Sequence, residues 1–163
     1  MDGAGMEVRC DTVEETMNLG AAIGRLGEPG QVISLDGPLG TGKTQLVRGL
    51  AEGAGVADLS LVCSPTYVLL NIYTADQGKT GSRTVFHLDA YRIKSPEDFS
   101  AIGFDELLDQ GGIVVVEWAE RVAELLPADR LAIRGEWSGE NSRVWRIDAT
   151  GPVSQLLLRK LMA

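Results

Sequence analysis

The run Gly37-Pro38-Leu39-Gly40-Thr41-Gly42-Lys43-Thr44 fills the pattern G-x-x-x-x-G-K-[ST] in full. Those residue types in that order are suited to binding phosphate. Glycines let the chain curl so that successive backbone N–H groups point inward, the lysine reaches the outer phosphates, and the threonine hydroxyl is placed to bind Mg²⁺. Such a loop also needs an acid at a neighbouring strand end to hold or order the ion. Two are available. Asp89 closes Val85-Phe86-His87-Leu88, and Glu117 closes Ile113-Val114-Val115-Val116. Either could bind the ion directly, hold it through water, or orient an attacking water; the plain alternative is an acid capping the turn that follows.

Nearby residues carry weaker signals. By strand alternation Val85, His87 and Asp89 share a face, so His87 falls near the acids, as a site residue or as a structural hydrogen-bond partner. Arg92 could contact phosphate or pair with a surface carboxylate, and Trp118 fits core or pocket wall. Ser64-Pro65-Thr66 lies where a hydroxyl could sense the outer phosphate or its ion and release it later, or where a proline simply turns the chain into a strand.

The elements that must position these groups can be read from the same chain. Gln31-Val32-Ile33-Ser34-Leu35-Asp36 is a short buried strand and Gln45 to Gly53 a helix, so the motif sits between strand and helix as its chemistry requires. That context outweighs chance, which at ordinary residue usage produces such a match in fewer than roughly one in a hundred chains of this length. The 20 glycines raise the chance figure only a few-fold.

Before the loop, Glu7 to Cys10 predicts a strand. Thr12 with Glu15 then forms a capping-box signature for a helix with an apolar stripe of Leu19, Ile23 and Leu26, flanked by Val13 and Met17. After it, Thr66 to Tyr73 and Thr84 to Asp89 predict an antiparallel hairpin, and Ser95-Pro96 opens an uneven helical stretch to about Leu108. The continuous β-branched run Ile113 to Val116 predicts a central parallel strand covered on both faces, delivering Glu117 at the end where open α/β sheets bind ligands. A short helix near Glu120 to Leu126, strands at Arg130 to Glu136 and Arg143 to Asp148, and a closing helix with Val153, Leu156, Leu157 and Leu161 on its apolar side complete the chain. The fold class is α/β: one domain spanning 1–163, in three layers, with a mixed, mainly parallel central sheet.

Bulk composition narrows the function classes. With 163 residues, 44% hydrophobic and 23% charged, the chain reads as an ordinary globular domain. A net charge of −8 argues against a broad nucleic-acid surface, so no DNA partner is expected and any RNA connection runs through a partner protein. Cys10 and Cys63 lack metal or redox spacing and read as packed, reduced thiols. Met1 to Arg9 has no apolar core and no stretch approaches 18 apolar residues, which predicts a cytoplasmic protein off the membrane.

Taken together, four blocks resemble the TsaE family, small bacterial P-loop ATPases of tRNA threonylcarbamoyladenosine biosynthesis. They are Gly37-x-Leu39-Gly40-x-Gly42-Lys43-Thr44, Ser64-Pro65-Thr66-Tyr67, His87-Leu88-Asp89-Ala90-Tyr91-Arg92, and Glu117-Trp118-Ala119-Glu120-Arg121 followed by Leu126-Pro127. The resemblance implies a P-loop NTPase fold that binds ATP and Mg²⁺ and hydrolyses ATP slowly, coupled to a TsaD–TsaB heterodimer that modifies adenosine 37 of tRNA. It implies that Lys43 holds phosphates, that Thr44 and Glu117 hold Mg²⁺, that Asp89 orders water or metal, and that Ser64 to Thr66 acts as a switch. It extends the nucleotide contacts through Gln45 and to Thr12 and Arg143. Pro38 stands where the family usually has an acid and Gln45 where it usually has Thr; neither is among the groups the motif's chemistry needs. Two rivals come from other classes. A small-molecule kinase would bring an Arg-rich lid, which the sequence does not display, and a nucleotide-dependent binding module would show docking with little turnover.

Overall fold

The computed structural model describes residues 5–63 and 70–163, which form one seven-stranded sheet in the order β1-β7-β6-β2-β5-β4-β3. Its parallel centre is built from β2 (Val32–Asp36), β4 (Val85–Asp89), β5 (Ile113–Glu117) and β6 (Leu131–Trp137). Antiparallel strands extend it on both sides. β3 (Leu70–Tyr73) pairs with β4, while β7 (Arg143–Ala149) pairs with β6 and with β1 (Gly5–Cys10). Every residue of β5 is buried, as its unbroken apolar run predicts for a strand covered on both faces.

Alternation along the central strands feeds two cores. Ile33, Leu35, Val85, Ile113 and Val115 face α1 (Val13–Leu26), α2 (Lys43–Ala54) and α5 (Pro152–Met162). Val32, Phe86, Leu88, Val114 and Val116 face the opposite layer. That layer holds α3 (Pro96–Ser100), α4 (Phe104–Asp109) and a 3₁₀ segment at Ala119–Leu125. The three-layer α/β expectation therefore stands.

α1 starts where Thr12 Oγ1 accepts from Glu15 N at 3.1 Å. The returning half of the box goes one residue further back, with Asp11 N donating to Glu15 Oε2. Ile23 is buried and Leu19 and Leu26 pack against the core as predicted, while the face that meets α2 is carried by Thr16, Gly20 and Gly24, and the predicted flank residue Val13 is 60% exposed. Small residues replace large ones because the two helices meet backbone to backbone. A Cβ on Gly20 or Gly24 would strike the carbonyls of Leu46 or Leu50, and one on Gly49 or Gly53 those of Met17 or Ala21.

Other details depart from expectation. The stretch after Ser95 is two helices broken at Gly103, which is left-handed (φ 79°). The short helix predicted near Glu120 is present at Ala119–Leu125, in 3₁₀ form and kinked at Val122. α5 buries Ser154, Leu157 and Leu158 while Val153 and Leu156 face outward, because Asp129 accepts from Val153 N and Ser154 N and so sets the helix's rotation. Cys10 is buried as predicted; Cys63 is exposed. The hairpin is confirmed over Leu70–Tyr73, and its predicted start at Thr66 lies outside the described residues. Among the described residues no helix is long and apolar enough to cross a membrane.

Candidate functional site

The phosphate loop leaves β2 at Asp36 and enters α2 at Lys43. Gly40 (φ 83°) and Gly42 (φ 99°) hold left-handed conformations that a side chain would oppose. Gly42 caps α2 without any side-chain hydrogen bond, so the first amides of the helix point outward and remain available to an anion. Pro38 contributes only its carbonyl, which accepts from Thr41 Oγ1 (2.7 Å) and Thr41 N (3.2 Å). The loop thus closes on itself despite the departure at that position. Leu39 is 86% exposed, at the tip.

Lys43 is buried and folded inward. Its Nζ donates to the Gly37 carbonyl at 2.5 Å and lies 3.8 Å from the centre of the Trp118 ring. Trp118 reaches that position through a left-handed backbone (φ 55°) unusual for a residue with a side chain. Burial pushes the Lys43 ammonium below its ordinary pKa, and Glu117, then Asp36, Asp89 and Glu120, pull it partly back.

The two predicted acids come together. β4 and β5 are parallel with Asp89 opposite Glu117 in the register, so both carboxylates emerge at the same sheet edge, beside the loop. Asp89 accepts from Tyr91 N at 2.8 Å, and burial raises its pKa. Glu117 is 2% exposed, and its Oε1 has no hydrogen-bond partner. An orphaned buried carboxylate oxygen next to a phosphate loop fits a cation that the protein only partly coordinates. No cluster of three or more acidic, His or Cys side chains among the described residues makes a site by itself. Mg²⁺ takes one or two carboxylates plus phosphate oxygens and water, so Glu117 and Asp89 are the acids that could hold it. Thr44, in the first turn of α2, is the hydroxyl available to join Glu117.

Two groups at the site were not singled out from sequence. Asp36 ends β2 and accepts from Glu120 N at 3.1 Å; burial raises its pKa. It was readable as a third strand-end acid, but the strand pattern claimed it. Trp137 lies 3.5 Å from the Arg143 guanidinium, ring centre to Cζ. So held, Arg143 donates to the Thr41 carbonyl at 3.0 Å and the Gly40 carbonyl at 3.5 Å, tying the β6–β7 hairpin to the loop. Thr12 and Arg143, far apart in sequence, line one small cavity of about 40 Å³ with Thr16, Thr41, Gly42, Gln45 and Asn141. Arg92 is exposed. Ser64, Pro65, Thr66 and Tyr67 lie outside the described residues.

A parallel-centred sheet with a glycine-rich loop running from its central strand into a helix defines an α/β protein of the P-loop fold. Comparison with known proteins narrows this. Residues 10–145 match the family described as "Threonylcarbamoyl adenosine biosynthesis protein TsaE". Among proteins named tRNA threonylcarbamoyladenosine biosynthesis protein TsaE, that of Treponema pallidum is 42% identical over 116 residues, covering 71% of this chain and 80% of the relative. That of Bacillus subtilis is 32% identical over 148 residues, covering 91% and 88%. The crystal structure of Bacillus subtilis YdiB superposes with a TM-score of 0.79 at 28% identity, covering 99% of this chain and 97% of that one. The chain belongs to the TsaE family.

Proposed function

We propose that this protein is an ATPase acting in tRNA N6-threonylcarbamoyladenosine formation at adenosine 37, binding ATP with Mg²⁺ and driving turnover of a TsaB–TsaD complex. Contact with tRNA is indirect, through that complex, in keeping with a net charge of −8. The observation that carries the reading is the buried Lys43 ammonium at the mouth of α2, with Glu117, Asp36 and Asp89 as its charged surroundings. Such an arrangement has little use for packing and a direct use for holding a phosphate chain and its cation.

On this reading the open amides of the loop from Gly37 to Thr44 surround the phosphates, and Lys43 exchanges the Gly37 carbonyl for phosphate oxygen. Thr44 and Glu117 hold the ion, which when bound neutralises charge developing on the phosphates. Asp89 orders water or metal. Thr12, Gln45 and Arg143, which meet around a cavity too small for a nucleoside, are placed to touch its edge and not to enclose it. Membership of a family whose relatives are named for this modification supplies the pathway.

The test is ATP hydrolysis by the purified protein alone and after adding TsaB and TsaD from the same source, with GTP as control. An ATP-selective rate that changes on adding the pair supports the proposal. Turnover that appears only with a small-molecule acceptor, with no response to the pair, would make the protein a kinase.

A further inference from the structure

Three polar side chains run diagonally across β3, β4 and β5 on one sheet face. Tyr73 pairs with Val85, two residues before His87, and Glu117 pairs with Asp89, two residues after it. Diagonal neighbours at this spacing are within reach of long side chains. All three are buried: Tyr73 1%, His87 0% and Glu117 2% exposed. The Tyr73 hydroxyl is 2.9 Å from His87 Nδ1, and His87 Nε2 is 3.5 Å from Glu117 Oε1. Neither Nε2 nor Oε1 makes a hydrogen bond, and the 3.5 Å between them is an ion-pair distance that a small shift of the carboxylate would close into one.

We infer that His87, oriented by Tyr73, is the positioning residue that holds the Glu117 carboxylate in place to receive the cation, an inference that rests on Glu117 being a metal-holding acid. A neutral imidazole has one donor and one acceptor nitrogen. For Nε2 to present N–H to Glu117, Nδ1 must accept, and the Tyr73 hydroxyl is the group that donates to it. The hydroxyl has a single hydrogen, and around it stand Nδ1 at 2.9 Å, the Cys63 carbonyl at 3.5 Å and the Asn71 side chain, whose amide can donate to the hydroxyl oxygen. The shorter contact assigns the hydrogen to His87. Tyr73 thereby sets the tautomer, as the outer partners of metal sites commonly do.

The carboxylate needs such an anchor because its other strong attraction is Lys43, whose ammonium it pulls upward in pKa. Free of His87, Glu117 would turn toward that ammonium and leave the position from which it meets the ion. His87 touches neither nucleotide nor ion on this account; it acts through Glu117.

The experiment uses the purified full chain with Mn²⁺ as probe. Mn²⁺ affinity of the ADP complex is read by electron paramagnetic resonance, and ADP affinity without metal by calorimetry in chelator. His87→Leu should weaken Mn²⁺ about tenfold or more, the range for losing an outer partner of a metal site. Metal-free ADP binding should stay within about twofold of the parent. His87→Gln, whose amide nitrogen falls near the place of Nε2, should recover most of the loss, and Tyr73→Phe should reproduce part of it.

Unchanged Mn²⁺ affinity in a folded His87→Leu protein overturns the inference, as does an equal loss of metal-free ADP binding. Should His87→Leu fail to fold, Tyr73→Phe and His87→Gln decide: parent-like Mn²⁺ affinity in the first, or no advantage of the second over an unrelated core substitution, overturns it. Glu117→Gln separates the two layers. If it leaves Mn²⁺ binding intact, the metal-holding role of Glu117 fails and the inference with it. If it weakens Mn²⁺ while His87→Leu does not, only the role of His87 fails.

Discussion

Lys43 Nζ sits 3.8 Å over the ring of Trp118 while donating to the Gly37 carbonyl. The lysine is thus held in place by the π face of one residue and the backbone of its own loop. A cation over an aromatic face gains about 0.5–2 kcal/mol, depending on how dry the contact is. A phosphate oxygen offers the same ammonium a charged acceptor, which is the stronger partner.

Lys43→Ala removes that partner for phosphate. The expected outcome is a loss of ATP affinity of about a hundredfold, the scale of one charge-assisted contact left unmade in a partly buried site, measured by calorimetry. Trp118→Leu leaves the ammonium in place and should change affinity far less. Equal losses in the two variants would mean that the lysine acts through packing.

Arg143 joins the hairpin to the loop through the carbonyls of Thr41 and Gly40. Arg143→Ala should release both and raise the ATP dissociation constant by about tenfold, as expected for roughly 1–1.5 kcal/mol of hydrogen bonding. Hydrogen exchange of the amides from Gly40 to Lys43 should quicken at the same time. Slower or unchanged exchange, with affinity lost, would place Arg143 on the nucleotide alone.

Gly49 lies under the Met17 carbonyl at the crossing of α1 and α2. Gly49→Ala must push the helices apart and should cost about 1–3 kcal/mol, read as a Tm drop of about 2–4 °C per kcal/mol for a chain of this size. Gly30→Ala is the comparison. Its φ of 87° is strained for alanine, but nothing lies within 4 Å of the new carbon. A smaller fall is expected there, from backbone strain alone.

That helix crossing also shows where sequence reading stops. The loop and the strand Ile113 to Val116 were legible because their signals are local: a fixed spacing of glycines and lysine, and an unbroken apolar run. Asp89 and Glu117 were legible as strand ends, yet their adjacency depends on β4 and β5 pairing in parallel, a contact between segments more than 20 residues apart. The α1–α2 glycines carry no such signal, since a glycine in a helix pattern reads only as a weak point. α5 misled for a related reason. Val153 and Leu156 continue its apolar spacing, but the cap from Asp129, in the turn before β6, decides which side faces inward. Asp36 was hidden by its strand, and Trp137, which reads as part of the connecting loop, closes β6 opposite Arg143 in the register.

Asp36 yields the pH prediction. Burial raises its pKa above the ordinary carboxylate value, so the folded state binds this proton more tightly than the unfolded chain does. The charged form is therefore a liability to folding, fully present above the raised pKa and absent below the unfolded value of roughly 4. Asp36→Asn keeps an oxygen to accept from Glu120 N and removes the buried charge. It should raise Tm at pH 7, and the gain should shrink toward zero as the pH falls through the carboxylate range. The same substitution takes away one of the acids that support the Lys43 ammonium, so hydrolysis should fall as stability rises. Thermal melts of both proteins across pH 3–8 check the first part. A gain independent of pH would show that the substitution acts through packing and not through the charge.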